Sequence, residues 1–123
     1  MIKGMRMSSI WSEDLNNLLP FYRDVVGLKT SIETPGFVVL GEPNGPAIAL
    51  GTHSEVHGKA KEPARHIVGL ETDDIKAEAT RLKGAGVEFI EEPNAPGGDG
   101  VWVATFKDPE GNLLQLLQFN RPA

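Results

Sequence analysis

Gln115 is the residue that most demands a chemical explanation. It stands in Leu113-Leu114-Gln115-Leu116-Leu117-Gln118-Phe119, a run that is apolar except at its two glutamines. Strand alternation sets Leu113, Gln115, Leu117 and Phe119 on one face, and Leu114, Leu116 and Gln118 on the other. An amide in a row of hydrophobes is costly unless bonded, so Gln115 needs a protein partner or a ligand. Of the three histidines, His57 falls in the linker and reads as solvated, while His53 and His66 fall at or next to expected strands, where a neutral imidazole can hold a metal. Trp11 shares strand parity with Met7 and Ser9, which places it to form a stacking wall. Cysteine is absent, which excludes disulfides, thiol catalysis and thiolate metal sites.

These residues are positioned by a module that occurs twice. Glu42-Pro43-Asn44-Gly45 and the residues to Leu50 overlay Asp108-Pro109-Glu110-Gly111 and the residues to Leu116 at a constant offset, Pro43 to Pro109 and Gly45 to Gly111. Upstream, Asp14 matches Asp73 and Gly27 matches Gly86, a smaller offset that also sets Met7 against His66. Two copies are too few for a solenoid, so the repeat predicts one pseudo-symmetric domain.

In order, about Met5 to Trp11 reads as a strand. Ser12 or Asp14 caps a helix along Leu15, Leu18, Leu19, Tyr22 and Val26, which Pro20 should kink or restart as a new first turn and Gly27 should end. Leu28 to Glu33 is a second strand, and Phe37 to Leu40 with Ala47 to Thr52 a hairpin around Glu42-Pro43-Asn44-Gly45. Residues 54–64 read as a linker between module one (1–53) and module two (65–123). Module two opens with a strand over Arg65 to Thr72, and Asp73 or Asp74 caps a helix to Lys83. A short strand, Val87 to Glu91, precedes a Gly/Pro-rich loop from Glu92 to Gly100 that is a candidate lid. The closing hairpin is Val101 to Phe106 and Leu113 to Phe119, with Pro109 and Gly111 shaping its turn. The order predicts an α+β fold of two βαβββ modules, helices on one sheet face and the other free to enclose a cavity.

The 123 residues suit a single domain with a real core, and the net charge of −5 without a basic run argues against nucleic acid. No apolar run reaches membrane-spanning length, and the N-terminus lacks a signal-peptide core, so the expected location is the cytoplasm with no membrane partner.

Phe21-Tyr22-Arg23-Asp24-Val25-Val26-Gly27-Leu28, after a strand and Asp14-Leu15, resembles the first-module signature of the vicinal oxygen chelate superfamily of glyoxalases, bleomycin-resistance proteins and extradiol dioxygenases. Arg65-His66-Ile67-Val68 before Asp73-Asp74-Ile75 resembles its second-module opening, and Asp108-Pro109-Glu110-Gly111-Asn112 its terminal hairpin. The resemblance spans the chain and implies two modules paired pseudo-symmetrically around a cavity, and a homodimer.

In metal-dependent members, four cavity positions hold a divalent ion, one in each module's first strand and one in each last strand. Carried over, they are Met7, Ala49 (Leu50 if the register slips by one), His66 and Gln115, which leaves His66 and Gln115 as the possible metal donors. Catalytic zinc needs three protein donors, and non-haem iron favours two histidines and a carboxylate. His53 shares a face with Ala49 but lies four residues on, roughly 13 Å at strand rise, too far to complete the set. The resemblance therefore implies a pocket for a small organic molecule, as in the bleomycin-resistance group, with no certain cofactor and no assigned catalytic residue. Met7, Trp11, Ala49 and Leu117 would form its wall, with His66 and Gln115 as orienting groups. Alternatively His66 is a neutral strand histidine bonded to Gln115 or to a carbonyl. The second functional reading is a divergent metal-dependent lyase or dioxygenase that uses His66 and Gln115 and recruits His53, Glu13 or water. The third is a pure interaction partner.

Overall fold

Asp108 governs the local structure around which the second half of the chain is built. Its Oδ1 accepts the N–H groups of Glu110 (2.8 Å) and Asn112 (2.9 Å), and its Oδ2 accepts Asn112 Nδ2 at 2.8 Å. Its own N–H donates to the Asn112 carbonyl at 2.9 Å, and Gly111 sits at φ +82°, where a Cβ would be strained. Pro109 and Gly111 shape the turn, but the Asp108 carboxylate is what ties it together.

The computed structural model describes residues 1–42, 45–98 and 100–119. It divides into two compact units, Met1–Gly58 and Lys59–Ala123. The first holds strands β1 (Met7–Ser12), β2 (Thr30–Thr34), β3 (Phe37–Gly41) and β4 (Ala47–Thr52) in the order β1-β4-β3-β2. The second holds β5 (Ile67–Glu71), helix α1 (Ile75–Gly84), β6 (Phe89–Asn94), β7 (Val101–Lys107) and β8 (Leu113–Phe119), with sheet order β5-β8-β7-β6. In each sheet the first and last strands pair in parallel and the other pairs are antiparallel. The repeat legible in the sequence is thus one topology built twice. The loop expected over Glu92–Gly100 starts later, since Glu92 to Asn94 extend β6. The turn expected at Glu42–Gly45 includes Pro43 and Asn44, and that loop includes Asp99. These residues, and the last four of module two, lie outside the described residues.

In the second unit α1 buries Ile75, Ala79 and Leu82, an i, i+4, i+7 stripe. It packs on β6, β7 and β8, where Leu114, Leu116, Ala104 and Phe106 are buried on one sheet face. Burying each such large side chain stabilises by roughly 1.5–3 kcal/mol. Two contacts fix the helix start: Asp74 Oδ1 accepts Ala77 N–H, and Gln118 Oε1 accepts Ile75 N–H at 2.8 Å. Gln118 is therefore a helix anchor on the α1 side. Gln115, three residues away, faces the other side, called here the far face.

In the first unit the segment expected as a helix kinked or restarted at Pro20 is two short turns, the second with Pro20 as its N-cap. Leu15–Asn17 is a 3-10 turn capped by Asp14, and Phe21–Val25 is a π-helical turn. Pro20 has no N–H to donate and crowds the preceding turn, so the ladder breaks there. The Phe21 and Tyr22 N–H groups both go to the Leu18 carbonyl, and Val26 N–H reaches back five residues to Phe21. The apolar stripe still works, because Leu18, Leu19 and Tyr22 are buried. The two turns spend one residue more between cap and glycine (Asp14 to Gly27) than α1 does (Asp74 to Gly86), both glycines lying at positive φ.

Asp108→Ala leaves the Glu110 and Asn112 amides without their acceptor. We expect it to lower the unfolding free energy by about 2–3 kcal/mol, read from urea denaturation. An unchanged midpoint would remove Asp108 from its structural role.

Candidate functional site

On the far face of the second sheet, one rung crosses all four strands: Gly69 pairs with Gln115, Gln115 with Thr105, and Thr105 with Glu91. Three of these side chains are linked. Gln115 Nε2 donates to Thr105 Oγ1 at 3.4 Å, and Thr105 Oγ1 donates to Glu91 Oε1 at 3.0 Å. Thr105 is buried, Gln115 half-buried and Glu91 exposed. Leu117 fills the space left by Gly69, where a Cβ would come within 2.7 Å of Leu117 Cδ1. The amide in the apolar row thus has its partner, the Thr105 hydroxyl, and behind that a carboxylate.

Thr105 and Glu91 were not among the residues singled out from sequence. Thr105 was findable, since a turn centred on Glu110 pairs 105 with 115. Glu91 was not, because strict alternation puts it on the same side as Phe89, which packs its ring against Phe106 at 5.3 Å. A bulge in β6 sets two residues against one of β7 between Phe89 and Glu91, and turns Glu91 to the far face.

The corresponding rung of the first sheet is apolar apart from its end: Ser9, Ala49, Val39 and Ile32. One step along β1, the Trp11 ring lies over Gly51, where a Cβ would meet Trp11 Cζ3 at 2.5 Å. Its ring neighbours Phe37 at 6.3 Å and, edge-on, His53 at 5.7 Å. Trp11 remains 40% exposed, so the first far face carries an accessible aromatic platform.

Beside it is a cleft of about 370 Å³ lined by Glu13, Thr52, His53, Ser54, Val56 and His57. Glu13 Oε1 accepts Gly58 N–H at 3.0 Å, and Oε2 meets His57 Nδ1 at 3.4 Å. The Gly58 bond first, and the His57 bond second, hold the Glu13 carboxyl below its ordinary value. His53 Nδ1 accepts Glu55 N–H, which leaves the neutral ring's proton on Nε2.

Residues 6–116 match the family model of the Glyoxalase/Bleomycin resistance protein/Dioxygenase superfamily. The chain belongs to this superfamily. Among curated proteins it is 30% identical to the uncharacterized protein YwbC of Bacillus subtilis, over 96% of this chain and 99% of that one. It is 29% identical to a probable lactoylglutathione lyase of Vibrio cholerae, over 85% of this chain and 83% of that one. The structure of TnmS3, an antibiotic binding protein from Streptomyces sp. CB03234, superposes with a TM-score of 0.76 at 25% identity, covering 97% of this chain and 98% of that one.

The superfamily's four cavity positions can now be followed in each unit. Met7 is exposed at the start of β1, and Ala49 is buried on the same far face of the first sheet. Gln115 and Leu117 lie on the far face of the second. His66 does not join them. It precedes β5 in extended conformation as the last residue of a 3-10 turn, is exposed, and by alternation leaves the chain on the side opposite Ile67. In the sheet register Met7 pairs with Ala47 as Ile67 pairs with Leu113. The second-module counterpart of Met7 is thus Ile67, one residue beyond the sequence overlay, and the caps Asp14 and Asp74 agree with it. His66 and Gln115 therefore fall on different sides of one sheet. Among the described residues no group of three His, Cys, Asp or Glu side chains converges as a metal cluster, and no helix is long and apolar enough to cross a membrane.

Gly51→Ala must displace the Trp11 ring. In a Trp102→Phe background we expect a clear change in the Trp11 emission maximum and a loss of roughly 1–3 kcal/mol in stability; an unaltered spectrum would contradict the stacked placement. For Glu13 the folded pKa is depressed, so its tether on Gly58 is complete above the ordinary value of 4.5 and is lost as pH falls through the lowered folded value. Exchange of the Gly58 amide should accelerate across that window beyond the intrinsic rate in the native protein but not in Glu13→Gln.

Proposed function

We propose that this superfamily member binds a small organic molecule on the far face of a sheet, the first unit offering an aromatic platform and the second a polar rung, with an incomplete metal-ligand set. The observation that carries the reading is the chemistry of the four positions after correction for register. Met7, Ala49 and Ile67 offer no hard donor, and Gln115 offers one amide oxygen. That set does not fit a catalytic divalent ion, which requires three or more protein donors. Trp11 over Gly51 beside Phe37, with Met7 on the same face, supplies apolar area and a stacking surface. On the second sheet, Leu117 adds apolar surface and Gln115 a directional hydrogen bond. Similarity to the Streptomyces antibiotic binding protein supports the same reading. The protein would act as a homodimer, as its family resemblance suggests.

The alternative, a metal-dependent lyase or dioxygenase using His66 and Gln115, draws on similarity to the Vibrio lyase. It needs donors that the sheet register sets apart.

The two readings separate in one experiment. Purified without chelator, the protein is titrated with nickel, zinc, manganese and iron(II), and separately with planar aromatic antibiotics, following melting temperature and Trp11 emission. We expect no saturable metal stabilisation, and a saturable Trp11 quench with at least one aromatic ligand that Trp11→Ala abolishes. Stoichiometric metal whose removal lowers the melting temperature, with the effect gone in His66→Ala and Gln115→Ala, would replace this function with the lyase or dioxygenase.

A further inference from the structure

The hydrogen-bond inventory of the polar rung is tightly constrained. Glu91 is a carboxylate, which has acceptors only, and a hydroxyl has a single proton. The 3.0 Å bond between Thr105 Oγ1 and Glu91 Oε1 therefore consumes the Thr105 proton. A hydrogen bond to a carboxylate is the stronger kind, so it outcompetes a neutral partner for that proton. Towards Gln115, Thr105 then has only lone pairs. The end of the amide that can meet them at 3.4 Å is Nε2, which donates. Gln115 Oε1 is left as the outward end of the amide, and among the described residues no donor is bonded to it. Remove the carboxylate, and the hydroxyl proton is free to turn to Oε1, so that the amide has two orientations of similar energy.

We propose that Glu91 and Thr105 are positioning residues that lock the Gln115 amide with its carbonyl oxygen outward, so that this face selects ligands presenting an N–H or O–H donor. The last clause rests on the reading of the far face as a ligand site; the lock does not. A ligand carbonyl or ether at Gln115 would set acceptor against acceptor and leave both unpaired, which costs the desolvation of each. Polarity at this position thus belongs to three strands rather than to Gln115 alone. Neither Thr105 nor Glu91 is one of the four positions from which the superfamily resemblance starts.

Gln115 and Gln118 are the only glutamines in the chain, so 15N labelling of glutamine side chains gives two amide pairs. Gln118, anchored through its carbonyl to the Ile75 N–H, reports folding independently. In the native protein one Gln115 amide proton should be shifted and protected. Glu91→Ala and Thr105→Val should move both Gln115 signals and speed exchange by about fivefold or more, with Gln118 unchanged, and Thr105→Ser should restore the native pattern. If Thr105→Val disturbs Gln118 as well, its fold has suffered, and Glu91→Ala, at an exposed position, decides. A Gln115 pair indifferent to Glu91→Ala, or a Thr105→Ser spectrum that differs from native as Thr105→Val does, overturns the lock.

The donor preference is read with a matched pair of probes, 2-naphthol and 2-methoxynaphthalene, titrated while following the Gln115 amide. The phenol should bind about tenfold more tightly, and the ratio should fall towards one in Glu91→Ala. Equal binding of both by the native protein overturns the preference. If neither probe moves the Gln115 signals, the reading of this face as a ligand site fails with the preference, while the spectra of the variants still decide the lock.

Discussion

The Asp108 carboxylate is the constraint on which the second half of the molecule depends. By accepting two backbone amides and the Asn112 side chain, it sets the length of the β7–β8 turn. That length sets the register, and a strand register cannot slip by one residue without exchanging its two faces. With the register fixed, Leu114 and Leu116 go to the helix side and Gln115 to the far face. Gln118 then falls where its carbonyl can hold the first amide of α1, and Thr105 falls opposite Gln115. Core, helix anchor and polar rung are consequences of a single turn.

The two sheets share one topology, and their side chains carry different chemistry. Equivalent rungs read Ser9, Ala49, Val39 and Ile32 in the first sheet and Gly69, Gln115, Thr105 and Glu91 in the second. The first is apolar beside an exposed indole, suited to area and stacking. The second is a hydrogen-bonded series ending in a carboxylate, suited to direction. A fold shared by lyases, oxygenases and binding proteins says little about which of these a chain is. The side chains at the rungs say more, because they fix which donors and acceptors each face presents.

Much of this was legible beforehand. The repeat, the helix caps, the strand order and the isolation of Gln115 on an apolar face follow from local rules: turn residues, side-chain parity and the cost of an unpaired amide. Strand parity groups Trp11 with Met7, and the β1–β4 register sets Ala49 in the same row. What Trp11 rests on was not legible, because Gly51 is unremarkable until its strand is laid beside β1.

The sequence by itself determined the family, the two modules and the position of Gln115, since each is written in periodicities and turns spanning a few residues. Only the tertiary structure decided which residues stand beside one another across strands. The broken helix before Gly27 holds one residue more than α1, so the overlay that matched Met7 to His66 lands one short, and the sheet puts Ile67 there instead. The bulge in β6 likewise turns Glu91 to the side of Thr105. Both are single-residue changes in backbone geometry that leave the local hydrophobic pattern almost untouched. Because side chains alternate with a period of two, one residue suffices to carry a candidate ligand off a face or bring a carboxylate onto it.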